Sequence, residues 1–330
     1  MNRRDFLRTL LLALSAAASA RASSYARAAS PTRRDALGEL LPTRPLGKTG
    51  EQVTMLGLGG WHFGRLSSDR EAQELLEVAL EGGIRFFDSA ESYQGGGSES
   101  RYGRLLTPRY REHVFLMTKT TARDAATAQA HLDGSLKRLR TDYLDLWQIH
   151  ALTGPQDVDN RLKNGVLEVL LKAKASGKVR YIGFTGHTRP SAHLRMLERA
   201  GDVFDTCQMP VNAADPSYES FVQNVLPELV RRRIAPLAMK SLANGGFFGG
   251  TQHGEHGPNP KVVPDRLSME EAIFFVWSLP VSVLITGPDN VDQLREKIRL
   301  ARAFQPLDEA ARRRIVEKVA DMAGPHGGIL

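Results

Sequence analysis

Four residues of this 330-residue chain have the types and placement needed for acid–base chemistry on a carbonyl group. Asp88 follows Phe86 and Phe87, and Tyr93 stands in the next loop. Lys119 closes the apolar run that starts at Val114, and His150 closes the run that starts at Tyr143. Taken singly, each has an ordinary structural use, as a helix cap, a packing ring, a surface charge or a satisfied core group. Taken together they differ. A lysine and an aspartate that both end apolar runs are placed beside buried surface, where an unpaired charge is costly, so they are expected to pair with each other. A phenol titrates near pH ~10, and an adjacent ammonium stabilises the phenolate and lowers that value. Lys119 is therefore expected to activate Tyr93 as an acid, with Asp88 holding the lysine and His150 hydrogen-bonding the substrate oxygen. Such a set protonates a carbonyl oxygen while hydride arrives at carbon.

The elements that must position these residues follow from alternation along the chain. Strand-length apolar runs at Val53–Leu58, Arg85–Ala90, Val114–Lys119, Tyr143–His150, Val179–Thr185, Thr206–Val211, Ala235–Lys240 and Ser282–Gly287 alternate with segments of helical period. The helices are expected at Asp69–Glu81, Ser98–Leu106, Asp124–Leu139, Asn160–Ala175, Pro190–Arg199, Tyr218–Arg231, Ser268–Leu279 and Val291–Phe304. Asp69 reads as an N-cap and Gly177 as a C-terminal stop. Eight repeats of an almost continuously apolar strand and a helix predict a buried parallel sheet closed as a (β/α)8 TIM barrel. An open dinucleotide-binding sheet would carry a Gly-x-Gly-x-x-Gly turn after its first strand, and none is present. One domain over 43–323 is expected, with a lead-in before the barrel and an extra helix, Pro306–Ala323, across its outside. In such a barrel the carboxyl ends of the strands carry the site, and the candidate residues fall there.

The first thirty residues read as a leader. Arg3 and Arg4 precede Phe6, Leu7 and Arg8, and an apolar run from Leu10 to Ala20 follows. This predicts a twin-arginine signal peptide over 1–30, cut near Ala22 or near Ala28, with a periplasmic or otherwise exported product. The run is shorter than the ~20 residues a membrane-spanning helix needs, so no stable membrane insertion is expected after cleavage. A single cysteine, Cys207, excludes an intramolecular disulfide. The net charge of +7 is spread through the leader and across Arg231, Arg232 and Arg233 without interleaved aromatics, which argues against nucleic acid as a partner. The expected partners are a small-molecule carbonyl substrate and the twin-arginine export machinery.

Several separated motifs agree in order with one family. They are Phe87-Asp88-Ser89-Ala90-Glu91-Ser92-Tyr93 followed by Gly97-Ser98-Glu99 and Gly103; the lysine strand Val114 to Thr120; the histidine strand Tyr143 to His150; and Arg180-Tyr181-Ile182-Gly183-Phe184. Over Thr43 to Phe304 the chain resembles the aldo-keto reductase superfamily. The resemblance implies a catalytic tetrad of Asp88, Tyr93, Lys119 and His150, and a nicotinamide cofactor, NADP or NAD, lying extended across the barrel rim. By similarity Thr185 and Gln208 would meet the carboxamide, with Gly186 standing where the family has Asn. Met239 takes the place of a Tyr that stacks on the nicotinamide, and Lys240 and Leu242 approach the pyrophosphate. Gly287, Asp289, Gln293 and Glu296 belong to the adenosine-binding segment. Asp289 stands where members that prefer NADP carry a cation, and Lys297 replaces the usual Asn. An anion there would repel a 2′-phosphate, which leaves the choice between NADP and NAD open.

Trp61 and His62, on the loop after the first strand, are placed in the substrate pocket, with the loops Ala151–Asp159 and Ala243–Leu267 as its other walls. His253 and His256 lie in the second loop without a fixed third ligand, so no metal is expected. The function read from this pattern is NAD(P)-dependent reduction of an aldehyde or ketone, or the reverse, with Tyr93 as general acid. One alternative is a cofactor-binding redox sensor or regulatory subunit without significant turnover. Another is a Schiff-base enzyme using Lys119, which an ionised Asp88 disfavours by keeping the lysine protonated.

Overall fold

A computed structural model of the chain describes residues 33–248 and 266–324. The leader expected over 1–30, the central part of the Ala243–Leu267 loop, and His253 and His256 lie outside the described residues. Two short antiparallel hairpins come first, Arg34–Asp35 with Gly38–Glu39, and Thr43–Pro45 with Gln52–Thr54. Eight parallel strands follow: β1 (Leu56–Gly59), β2 (Phe86–Asp88), β3 (Phe115–Thr120), β4 (Leu144–Leu152), β5 (Val179–Gly186), β6 (Thr206–Pro210), β7 (Ala235–Met239) and β8 (Val283–Thr286). They close as a barrel in which β8 pairs with β1, so no strand edge is left open.

Strand periodicity sorts the apolar residues into two cores. Phe86, Phe115, Met117, Leu146, Leu237, Val283 and Ile285 fill the barrel interior, with Leu46 and Val53 of the second hairpin packed against them. Their alternate neighbours, among them Leu58, Phe87, Leu116, Trp147, Phe184 and Leu284, face the surrounding helices in a larger outer core. The second hairpin thus belongs to the barrel's filling. Its Arg44 is buried and donates to the carbonyls of Val281 and Trp277 at 2.8 and 2.6 Å.

The expected barrel matches the structure, and the differences are local. The expected first strand, Val53–Leu58, is two strands, because the chain turns at Met55 from the hairpin into β1. No Gly or Pro stands at that turn, so the sequence carries no marked break there. The helix expected over Asn160–Ala175 is two helices, Pro155–Lys163 and Val166–Ala175, separated at Asn164 and Gly165. The Tyr218–Arg231 helix likewise divides into Phe221–Asn224 and Leu226–Arg232, the second starting with Pro227 in its first turn. Ser68, not Asp69, caps the Asp69–Glu81 helix, its hydroxyl accepting from Glu71 N–H. The last helix runs Glu309–Val319 and buries Ile315 and Val319. Among the described residues no helix is long and apolar enough to cross a membrane.

Candidate active site

Inner-facing parity selects the site. Two residues beyond Phe86 on β2 is Asp88, and two beyond Met117 on β3 is Lys119. Four beyond Leu146 on β4 is His150, and two beyond Leu237 on β7 is Met239. Thr185 on β5 and Gln208 on β6 are register partners on the same rim. The carboxyl end of the barrel therefore exchanges an apolar filling for a ring of polar groups.

Tyr93 reaches this ring from a tight turn, Tyr93–Gly96, in which Gln94, Gly95 and Gly96 have φ of 50°, 60° and 90°. Two glycines supply a left-handed backbone that bulkier residues adopt only under strain. The Gly97-Ser98-Glu99 segment then ties the turn down. Ser98 Oγ donates to Gly60 O at 2.9 Å and lies 3.0 Å from Ser89 Oγ. The fully buried Glu99 carboxylate accepts from Thr118 Oγ1 at 2.5 Å and Arg138 Nε at 2.6 Å. The phenol-bearing loop is thereby fixed to β3 and to the start of the short helix that follows β1.

Lys119 Nζ lies 2.5 Å from Asp88 Oδ1, 2.7 Å from Ser89 O and 3.3 Å from Tyr93 Oη. Asp88 also accepts from Gly60 N–H and the Gln208 amide. Burial works against the Lys119 ammonium, but the Asp88 carboxylate and the phenol outweigh it and hold the lysine charged above its ordinary range. For Tyr93 the balance corrects the expectation from sequence. Burial pushes the phenol up, Lys119 pulls it down, and the negative charge of Asp88 adds to the rise, so the sum lies above the usual tyrosine value. Tyr93 is held as the protonated donor, and Lys119 offsets only part of the cost of its ionisation.

His150 lies with its ring centroid 5.7 Å from that of Tyr93, edge to face, and the Trp61 ring meets Tyr93 at 5.4 Å, also edge to face. Burial holds the His150 imidazole well below its ordinary pKa, and the positive charges of Lys119 and Arg161 add to that, as does His187. His150 is therefore neutral. The sequence reading missed three groups at this rim. His187 packs 5.8 Å from His150 and Arg161 donates to His150 O at 2.8 Å, while Glu91 accepts from Thr121 N–H at 2.8 Å at the end of β3. Glu91 stands inside the motif that drew attention to Tyr93, whereas Arg161 and His187 had no local signal.

The remaining candidates form two further groups. Thr185 Oγ1 and Gln208 Oε1 are buried on neighbouring register positions of β5 and β6 with no hydrogen-bond partner among the described residues. Gly186 follows, and a side chain there would come within 2.7 Å of the His193 ring. Met239 is buried at the end of β7. Lys240 is half-buried with φ 54°, and burial lowers its ammonium. Among the described residues no carboxylate pairs with it. The Leu242 side chain packs against the outer core.

At the end of β8, His62 is placed away from Trp61, with its ring directly against Gly287 and its Nε2 3.9 Å from Asp289 Oδ1. Only glycine permits that approach, because a Cβ at 287 would overlap the ring. Asp289 N–H donates to Gln293 Oε1 at 2.9 Å, and Glu296 lies 3.7 Å from the buried Lys297 ammonium, which burial lowers. Asn290 caps the Val291–Ala303 helix by accepting from Gln293 N–H. Among the described residues no cluster of His, Cys, Asp and Glu can hold a metal.

Residues 55–305 match the aldo/keto reductase family. The chain is 26% identical over 299 residues to the uncharacterized oxidoreductase YqkF of Bacillus subtilis, an alignment covering 81% of this chain and 93% of that protein. It is 30% identical over 223 residues to the 6-dehydroglucose reductase of Novosphingobium aromaticivorans, covering 61% of this chain and 69% of the relative. The holo form of aldo-keto reductase AKR11C1 from Bacillus halodurans shares the fold, with a TM-score of 0.71 at 23% identity over 87% of this chain and 99% of that one. With the family's match spanning the whole barrel, the chain belongs to the aldo/keto reductase family and is an oxidoreductase.

Proposed function

We propose that this protein transfers hydride between a nicotinamide dinucleotide, NAD or NADP, and a small aldehyde or ketone, with Tyr93 as general acid in the reducing direction. The observation that carries the reading is the Lys119 ammonium held between Asp88 Oδ1 and Tyr93 Oη at 2.5 and 3.3 Å. The residues fit a nicotinamide. Thr185 Oγ1 and Gln208 Oε1 are neighbouring orphans, and a primary carboxamide offers both a donor and an acceptor. Met239 offers a polarisable surface for a ring, and Lys240 a charge for a pyrophosphate. When bound, the nicotinamide supplies or takes the hydride.

The protein's own part is to hold the carbonyl and move one proton. Tyr93 Oη donates its proton to the carbonyl oxygen as the carbon gains hydride. Lys119 stabilises the phenolate that remains, and Asp88 keeps the ammonium in place. His150, neutral, donates an N–H to the same oxygen and orients the carbonyl. Trp61 packs edge to face against the phenol and limits water there. A polar, sugar-like carbonyl is the first substrate class to try, in view of the 6-dehydroglucose reductase among the relatives.

The proposed setting is outside the cytoplasm, reached through the twin-arginine machinery, on the support of Arg3, Arg4 and the apolar run behind them. Replacing both arginines with lysine should leave the protein in the cytoplasm.

Purified protein should oxidise NADH or NADPH in the presence of para-nitrobenzaldehyde. Tyr93→Phe should lose ~10²–10⁴-fold in kcat while binding the dinucleotide as the parent does. Binding without oxidation points instead to a redox sensor, and undiminished turnover in Tyr93→Phe removes the phenol from the mechanism.

A further inference from the structure

We infer that the buried Arg161–Asp157 pair is a positioning device for His150, clamping the bulge that begins at this residue; the inference rests on the proposed carbonyl reduction. Pairing between β4 and β5 runs regularly through Gln148 with Gly183 and Ile149 with Phe184. It resumes only at Leu152 with Gly186, so β4 carries one residue more than its partner. Such a bulge reverses facing. Leu146 and His150 face the interior, whereas Leu152, which strict alternation would also turn inward, packs in the outer core.

The bulge has a conformational cost and leaves polar groups behind. Ala151 adopts φ 55°, a left-handed conformation unfavourable for a residue with a Cβ. Carbonyls displaced from a ladder inside a protein need other donors. Arg161, only 2% exposed, supplies them: Nη1 donates to His150 O at 2.8 Å and Nη2 to Ala151 O at 3.4 Å. A planar guanidinium spans two adjacent carbonyls as one rigid fork, which an ammonium does not.

Asp157 sets the direction of that fork. Its Oδ1 accepts from Arg161 Nε at 3.0 Å and from Arg123 Nη1 at 2.5 Å, and its Oδ2 accepts from Thr153 N–H at 3.1 Å. One carboxylate thus joins the loop after β4 to the helix carrying Arg161. The guanidinium charge also adds to the forces that hold His150 neutral. Arg161 is a positioning residue, acting on the reaction through the backbone of His150.

The test uses the full-length protein with Arg161→Gln and Asp157→Asn, and Tyr93→Phe as control. Folding is followed by circular dichroism, NADH affinity by fluorescence, and kcat, KM and their pH dependence with para-nitrobenzaldehyde. Arg161→Gln is expected to lower kcat by ~10- to 100-fold, the scale of a displaced catalytic group, with NADH affinity changed less than ~3-fold. The acid limb of the kcat profile should move to higher pH as the imidazole loses a cationic neighbour. Unchanged kcat in a folded Arg161→Gln overturns the inference, and so does a parallel loss of NADH affinity, which marks a merely structural role. If Arg161→Gln does not fold, Asp157→Asn decides, and its unchanged kcat is equally fatal. Failure of the proposed function looks different: the parent does not turn over, or Tyr93→Phe remains active.

Discussion

Lys119 and Asp88, 31 residues apart in sequence, meet at 2.5 Å inside the barrel, and both are buried. Asp88→Asn keeps the shape and removes the charge, leaving a buried ammonium without its counter-ion. The variant should be destabilised by ~3–5 kcal/mol and should reduce carbonyls poorly. Urea unfolding at neutral pH measures the first effect. Adding Lys119→Met should recover part of the stability but none of the activity, because the two sites are coupled. A midpoint unmoved by Asp88→Asn would contradict the buried ion pair.

Thr185 carries a prediction of opposite sign for stability and binding. Its hydroxyl is buried without a partner among the described residues, so Thr185→Val should leave the cofactor-free protein as stable as the parent or slightly more stable. The same change should weaken dinucleotide binding by ~5–10-fold, about 1–1.4 kcal/mol, through one lost hydrogen bond. Calorimetry on the two proteins reads both quantities. Equal affinity would remove Thr185 from the carboxamide site.

Asp289 sets the expectation for the nucleotide. A carboxylate at the end of β8, 3.9 Å from His62, disfavours a 2′-phosphate, so NADH should bind at least ~10-fold more tightly than NADPH. Asp289→Arg should narrow or reverse that ratio. Measured dissociation constants for both dinucleotides decide the matter, and a ratio insensitive to the substitution would place the adenosine phosphate elsewhere.

His193 makes acid stability specific to one residue. It is fully buried against Phe184 and Phe221, and burial lowers its pKa to about 4. The unfolded imidazole takes its proton near pH ~6.5, so between there and pH 4 the unfolded chain binds more protons than the folded one. Stability due to this group is therefore intact above that window and lost as pH falls through it, by up to ~3 kcal/mol. His193→Asn should flatten the pH dependence across the window in urea titrations. A parallel, merely displaced curve would assign the acid sensitivity to other groups.

Much of this is legible in the sequence. The alternation of apolar runs and amphipathic segments gives the barrel, because a parallel sheet covered by helices requires near-continuous apolar strands. The parity of Phe86 with Asp88, and of Met117 with Lys119, is written in the sequence. Two breaks differ in how visible they were. The turn at Met55 has neither Gly nor Pro to mark it, whereas the break between the two helices after β4 falls at Asn164-Gly165, a turn dipeptide that the helical period on either side outweighed. His62 adjoins Trp61 in sequence, yet the short helix that carries both sends one ring to Tyr93 and the other to Gly287.

By itself, the sequence determined the eight-fold repeat, the polar residues at the strand ends and the pairing of one lysine with one aspartate, since each follows from local period or from the cost of a buried charge. Only the tertiary structure decided the rest. The net upward shift of Tyr93 depends on how completely neighbouring elements exclude water, and the anchoring of the His150 carbonyl on an arginine from the helix after β4. Desolvation and long-range hydrogen bonds are sums over groups distant in sequence, and no local pattern records them.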